Sequence, residues 1–288
     1  MSISTPKADR GEAVPTASSL TWPRTLPLDT MTHDLSPLYI GPLASFSPPR
    51  ITTTAPGADT LSARKLLDPP RLTALLDRFG ARYRHGDRRA IASLWSKWHF
   101  STLFVHSLAT NLLFERDLPL GLHELHLIQS SDGQTAGLEL AHAGKPLADL
   151  DPVSRFTTLL DHHLTPLIQA LADTTGASPK VFWSNAGNYF EYFANALTHH
   201  PMAAPDTGAP ARALMACRTL PDGRRNPLFQ PVRYVTPTPP DRPARVRRMC
   251  CIRYLIDDLG YCANCPLACR RGARQATPED TKVAPAGA

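Results

Sequence analysis

Four of the six cysteines in this chain fall within residues 250–265, as Cys250, Cys251, Cys262 and Cys265, a C-C-x10-C-x2-C spacing. No other feature limits the chain as much. Thiolates are soft donors that suit zinc and iron–sulfur centres. Four of them complete either a tetrahedral zinc or a two-iron cluster. The two-residue gap between Cys262 and Cys265 lets one turn present both sulfurs to one metal. The vicinal pair is different. Adjacent side chains of extended backbone point apart, so Cys250 and Cys251 converge only where the chain bends sharply. Structural zinc sites use C-x2-4-C at both ends, so the vicinal pair favours a two-iron target and leaves zinc as the rival. A disulfide framework suits short secreted chains. This one has 288 residues, and its first residues lack the apolar core of a signal peptide. Cys217 reads as a small buried hydrophobe, and Cys269 is expected outside the ligand set.

Arg247-Arg248 precedes the cysteine motif and Pro266 follows it. With these flanks the motif resembles the C-terminal motif of the ferric siderophore reductases, the FhuF-like proteins. Three upstream segments are similar to family segments as well: Ser93-Leu-Trp95-Ser-Lys97, Trp183-Ser-Asn185-Ala, and Arg-Arg-Asn226-Pro227-Leu-Phe-Gln-Pro231-Val-Arg-Tyr. The resemblance implies a [2Fe-2S] cluster held by Cys250, Cys251, Cys262 and Cys265. It also implies an oxidoreductase that reduces a ferric siderophore, of hydroxamate or carboxylate type, by one electron and releases Fe(II). The electron comes from a donor that the sequence does not identify. Trp183 and Asn185 are read either as packing or as the wall of a pocket for the ferric chelate. Arg247, Arg248 and Arg253 are expected at the rim of that cleft. Two readings from other classes stay open: a zinc-stabilised binding module without redox activity, and an iron–sulfur sensor that binds nucleic acid through a basic tail.

Charge bears on the last alternative. Residues 241–288 carry nine Arg or Lys against five acids, a surplus of +4 in a chain whose total is +6. Basic tails often serve nucleic acid. However, an oxidised two-iron centre with four thiolates is formally −2, and nearby arginines offset that charge and raise its reduction potential. No aromatic-interleaved basic patch appears, so no nucleic-acid partner is expected. No run of eighteen apolar residues occurs, so no membrane span is expected. A reducing, cytoplasmic compartment follows, in which thiolates bind metal more readily than they pair.

The fold class expected is α+β: a mostly helical main domain with a small antiparallel sheet and a small C-terminal iron–sulfur lobe. Residues 1–60 read as disordered or surface-wrapped, 61–220 as the helical siderophore-binding domain, 221–244 as a Pro-rich strap, 245–274 as the cluster module and 275–288 as a disordered tail. Asp68-Pro69 and Asp87 mark helix starts. The second of these helices runs to Leu113, with Trp95 and Trp98 in the core and His99 and His106 as satisfied core or rim residues. His123–Gln129 and Gln134–Ala141 flank an Asp132-Gly133 turn as a hairpin, with Leu125, Leu127, Leu138 and Leu140 on its buried face. Asp151-Pro152 starts a helix in which Pro166 forces a kink near His162-His163. That kink is expected to be solvated. Ser178-Pro179 starts an aromatic-rich helix to Leu197. Val232–Val235 reads as an edge strand.

Overall fold

In the computed structural model, the described residues are 34–83, 86–148, 151–236 and 244–271. Expectations for residues 1–33, the centre of the strap and the tail after Arg274 lie outside them.

The strands are β1 (Arg50–Ile51), β2 (Thr60–Ser62), β3 (Arg116–Asp117), β4 (His126–Gln129), β5 (Thr135–Leu140), β6 (Lys145–Pro146), β7 (Val232–Tyr234) and β8 (Arg245–Arg247). The helices are α1 (Pro69–Gly80), α2 (Arg88–Phe114), α3 (Thr157–Leu159), α4 (Thr165–Thr175), α5 (Pro179–Leu197), α6 (Ala209–Ala216) and α7 (Pro266–Arg271). The architecture is α+β, with α2 and α5 packed together at its centre.

Helix α2 starts where the sequence says it should. The Asp87 side chain accepts from Arg89 N–H at 2.8 Å, an N-cap that satisfies an orphan donor. The helix ends at Glu115, which adopts a left-handed φ of 51°. Between Arg89 and Glu115 the only charged residue is Lys97. The rest is nearly all buried, so α2 is an interior helix rather than a surface one. Against it, α5 sets Phe190 edge-on to Phe104, with ring centres 5.7 Å apart, and to Phe156 at 5.3 Å.

The hairpin forms with the predicted face: Leu125, Leu127, Leu138 and Leu140 are all buried. Gly133 takes a φ of 82° in the turn, and its carbonyl accepts from the Trp95 indole at 3.0 Å. The hairpin belongs to a four-stranded sheet of order β1-β5-β4-β2. One pairing is not antiparallel, because β1 joins β5 in parallel. Both outer strands come from residues 50–62, a segment read mainly as surface wrapping. Leu38 and Leu43, just upstream, are fully buried. Prolines and threonines hid the apolar anchors there, which recur at no regular period.

Pro166 lacks the N–H that an α-turn needs. The chain absorbs the fault as a π-turn at Leu160–Leu164, between α3 and α4. The kink is where the sequence placed it, but it is not solvated at His163, which is fully buried. The π-turn swings this ring inward onto His99, with the two Nε2 atoms 2.9 Å apart. Donor bookkeeping assigns the tautomers. His163 Nδ1 faces the Leu120 carbonyl at 2.7 Å and must donate, so its Nε2 accepts from His99 Nε2–H. His99 Nδ1 is then bare and accepts from the Thr135 hydroxyl at 3.0 Å. A further proton on either ring breaks this relay.

Burial accordingly pulls His99 well below the usual histidine range, with the neighbouring His163 adding to it, and it pulls His163 down to about 4. His106, which accepts from the Tyr39 hydroxyl, is pulled by burial to about 3. Unfolded histidines titrate near 6.5, so below that pH the unfolded chain takes up protons that the folded chain refuses. Stability should therefore fall as pH drops from about 6.5 towards 4, by up to about 1.4 kcal/mol per pH unit for each histidine. Urea unfolding at pH 7.0 and pH 5.5 checks this, and an unchanged midpoint contradicts it.

The C-terminal residues return to α5 through the ribbon β7–β8, paired Val232 with Arg247 through Tyr234 with Arg245. The expected edge strand is thus half of a two-stranded ribbon. Gly187 on α5 makes room for the incoming chain, since a Cβ there would lie 2.4 Å from Pro231 Cβ. Cys217 departs from its expected burial: it is partly exposed, with its thiol 2.6 Å from the Thr219 carbonyl. Among the described residues, no helix is long and apolar enough to cross a membrane.

Candidate metal centre

Cys250, Cys251, Cys262 and Cys265 come together in a small cluster of their own beside the main core. The bend that the vicinal pair requires is at Ile252, whose φ of 53° is left-handed. This is an unusual conformation for a β-branched residue. It turns Ile252 N–H back to Cys250 Sγ at 3.3 Å. The second bend is the Cys262–Cys265 turn, closed by Cys265 N–H to the Cys262 carbonyl at 3.0 Å.

The sulfurs stand as two close pairs, Cys251 with Cys262 at 3.6 Å and Cys250 with Cys265 at 3.9 Å. Two thiolates on one tetrahedral metal, at about 2.3 Å each, lie about 3.8 Å apart. Each pair thus has the spacing of two ligands to one metal atom, and the donor set is sulfur alone. Among the described residues, no three His, Cys, Asp or Glu side chains are arranged around a single ion. The residues present fit a two-iron group, to which they would supply four thiolate ligands. Protons are shared unevenly among the four thiols: hydrogen bonding with Cys250 and Cys262 holds Cys251 well below, and Cys265 down to about 3, while the partners Cys250 and Cys262 are pushed up. Three of the sulfur residues are buried, and Cys250 is partly exposed.

The scaffold beneath is built from α2 and α5. The Ser93 hydroxyl donates to the Cys251 carbonyl at 2.6 Å, and the Ser184 hydroxyl donates to the Met249 carbonyl at 2.8 Å. Asn185 joins the two helices: its amide N–H groups donate to the Ser93 and Ser96 hydroxyls at 2.9 Å, and its side-chain oxygen accepts from Arg247. Two of the upstream segments singled out in the sequence therefore meet under the cysteine loop. Asn185 is fully buried and is not among the residues that line the cavity beside the cysteines. Arg247 and Arg253 are also buried, not at a rim as the sequence led one to expect. The guanidinium of Arg247 is drawn inward by the sulfur cluster and the buried Asn185 amide, which outweigh the solvent preference of a typical arginine.

The missed residue is Lys97. It is 4% exposed, in the middle of α2. Burial works against its charge, but Cys251 and Cys262 outweigh burial and leave the ammonium above its usual value. Arg247 shows the same balance, burial against Cys251 and Cys262, and it too is raised. Its buried Nε has no hydrogen-bond partner among the described residues. Two buried cations thus face the Cys251–Cys262 pair. The sequence did carry a signal for Lys97, a lone charge in a long apolar helix.

Beside the cysteines lies a cavity of about 470 Å³. Trp183 and Phe229 give it aromatic wall, and Lys180, Arg218, Arg225 and Arg248 give it charge. Met249, one residue before Cys250, and Ser184 complete the side nearest the sulfurs. Of the expected pocket residues, Trp183 and Arg248 are here. The loop opposite is held by Asn226, whose amide reaches the Leu214 and Cys217 carbonyls at 2.7 and 2.8 Å. The third upstream segment therefore shapes the cavity wall.

Known proteins resemble this chain in both its helical part and its cysteine-bearing part. Residues 93–238 match the family model described as ferric iron reductase FhuF-like transporter, and residues 247–267 match the FhuF 2Fe-2S C-terminal domain. The chain is 25% identical over 182 residues to the ferric siderophore reductase of Escherichia coli (strain K12), covering 63% of this chain and 67% of that protein. With its helical core and its four-cysteine lobe both accounted for, the chain belongs to the FhuF-like ferric iron reductase family and carries that family's 2Fe-2S domain.

Proposed function

We propose that this protein is a siderophore-iron reductase that delivers one electron to Fe(III) held in a siderophore and releases Fe(II), with Cys250, Cys251, Cys262 and Cys265 as the ligands of its [2Fe-2S] cluster. The observation that carries the reading is the pair of sulfur pairs set over buried Lys97 and Arg247, one residue from the wall of an open cavity. When bound, the cluster supplies a one-electron carrier. Cys269 lies beyond the span matched by the 2Fe-2S domain, which supports leaving it out of the ligand set; its side chain is outside the described residues.

The protein's own residues have limited tasks in this reaction. Lys97 and Arg247 keep positive charge in the interior beside Cys251 and Cys262, offsetting an anionic centre. Ser93 and Ser184 hold the carbonyls of Cys251 and Met249, and Asn185 fixes the spacing of the two helices that carry these serines. The cavity takes the chelate. No acid–base residue is required, because siderophore oxygens are hard donors that grip Fe(III) strongly and the softer, less charged Fe(II) weakly. An external one-electron donor completes the cycle, and free thiols suit a reducing, cytoplasmic setting.

A single-turnover experiment tests the reading. Dithionite-reduced protein, freed of excess reductant, is mixed anaerobically with a ferric siderophore and an Fe(II) trap. The visible spectrum of the oxidised protein should return in step with trapped Fe(II), one iron per electron. Protein that stays reduced while a panel of ferric siderophores remains intact overturns the proposal.

A further inference from the structure

The cavity beside the cysteines has one sign of charge. Lys180, Arg218, Arg225 and Arg248 line it, and no Asp or Glu does among the described residues. None of these four cations takes part in an ion pair among the described residues. Their existing contacts leave donors free. Arg218 lies over the Phe229 ring at 5.0 Å, a contact with its face rather than its N–H groups. Arg248 gives one nitrogen to the Gln230 side chain at 2.5 Å. Elsewhere on this surface arginines do find acids: Arg224, next in sequence to Arg225, pairs with both Asp161 and Asp222. The recess thus gathers four cations, without an acidic partner among the described residues, around an aromatic wall.

We infer that this cavity binds ferric chelates of net negative charge whose free carboxylates the arginines take up, that is, Fe(III) complexes of hydroxycarboxylate type. The inference deepens the reductase reading and rests on it for the word substrate. A tris-hydroxamate complex of Fe(III) has three single negative charges against three positive ones and offers the cations nothing. Hydroxycarboxylate chelates leave carboxylate oxygens beyond those on the metal, and the guanidinium fork matches a carboxylate with two parallel N–H donors. Trp183 and Phe229 supply the apolar contact that ligand pockets combine with a few placed polar groups, and the volume falls in the range of small-molecule sites. The exposed cations also draw an anionic ligand in from solution, and salt screens that attraction.

Binding can be separated from reduction by using Ga(III), which has the charge of Fe(III) and accepts no electron here. The full-length, cluster-loaded protein is titrated with the Ga(III) complexes of citrate, of a linear trihydroxamate and of a tris-catecholate, with tryptophan fluorescence and calorimetry as readouts. The citrate complex should bind roughly tenfold or more tightly than the trihydroxamate at low salt. The preference should disappear at high salt and in the Arg225→Gln, Arg248→Gln double variant. Both positions are exposed, and the far-ultraviolet circular dichroism of the variant controls for folding. Equal binding of citrate and trihydroxamate complexes by the unaltered protein overturns the inference, as does a preference that the double variant keeps. Tighter binding of the catecholate than of the citrate complex also overturns its carboxylate part. If the gallium preference holds but ferric citrate is never reduced, the site stands and the reductase reading fails. If ferric chelates are reduced without any charge preference in binding, the reverse is true.

Discussion

Replacing Cys251 by serine should yield a protein without the visible absorption of its cluster and with little bound iron, whereas Cys269→Ser should keep both. The asymmetry follows from placement. Cys251 is 1% exposed, stands 3.6 Å from Cys262, and has its carbonyl held by Ser93. A serine hydroxyl is a harder and less acidic donor than a thiol, so it substitutes poorly at a soft-ligand site. The loss should extend to stability. Lys97 and Arg247 are buried next to sulfurs that are anionic when they ligate metal. Without that charge the two cations stay in the interior uncompensated, a situation that costs about 3–5 kcal/mol when one partner of a buried pair is removed. The Cys251→Ser protein should therefore melt well below the loaded form, and so should wild-type protein stripped of iron by a chelator, which loses the stabilisation that bound metal gives the folded state. Iron content, absorption spectrum and thermal melting check all three statements. A Cys269→Ser protein that lost its iron would show that the ligand set is wrong.

Local signals carried far in this chain. Asp87, Pro179 and the Asp132-Gly133 turn each act within a few residues, and each marks an element edge seen in the fold. Pro166 marked the kink for the same reason, since a missing N–H is felt one turn upstream whatever surrounds it. What stayed hidden depends on distant partners. His163 looked like a solvent-facing half of an adjacent pair, and only the π-turn aims it at His99, 64 residues earlier. Residues 34–62 have no period, so nothing local tells that Leu38 and Leu43 are core or that Arg50–Ile51 adds a parallel strand. At the site, the cysteine spacing was legible because metal ligation constrains spacing directly. The arginines were not. Arg247 and Arg253 read as rim residues because arginine usually is exposed, and the burial of Arg247 rests on Asn185 and on the sulfurs, which come from separate parts of the chain.

The second large effect is expected at Lys97, and it separates charge from packing. Methionine keeps the length and apolar stem of lysine and removes its charge. Replacing a buried ion by an apolar residue of similar volume is often neutral or stabilising for the fold, so Lys97→Met should melt no lower than wild type in the iron-free state. Its reduction potential should nevertheless fall. An added electron makes the anionic centre more negative, and a buried cation favours that state. At an effective dielectric of about 20 and a separation of about 8 Å, one unit charge is worth about 2 kcal/mol. For a one-electron couple, where tenfold in equilibrium constant is 59 mV, that amounts to about 90 mV. Arg247→Met should lower the potential similarly but also destabilise the protein, because it strips Asn185 Oδ1 and Ser184 of a buried donor. Lys97→Arg, which keeps the charge, should restore most of the potential if the interior accepts the larger head group. Potentiometric titration followed by visible absorption, with melting curves on the same samples, distinguishes the two effects. A Lys97→Met protein with an unchanged potential would mean that the ammonium does not tune the centre, leaving its burial against Cys251 and Cys262 a matter of packing alone.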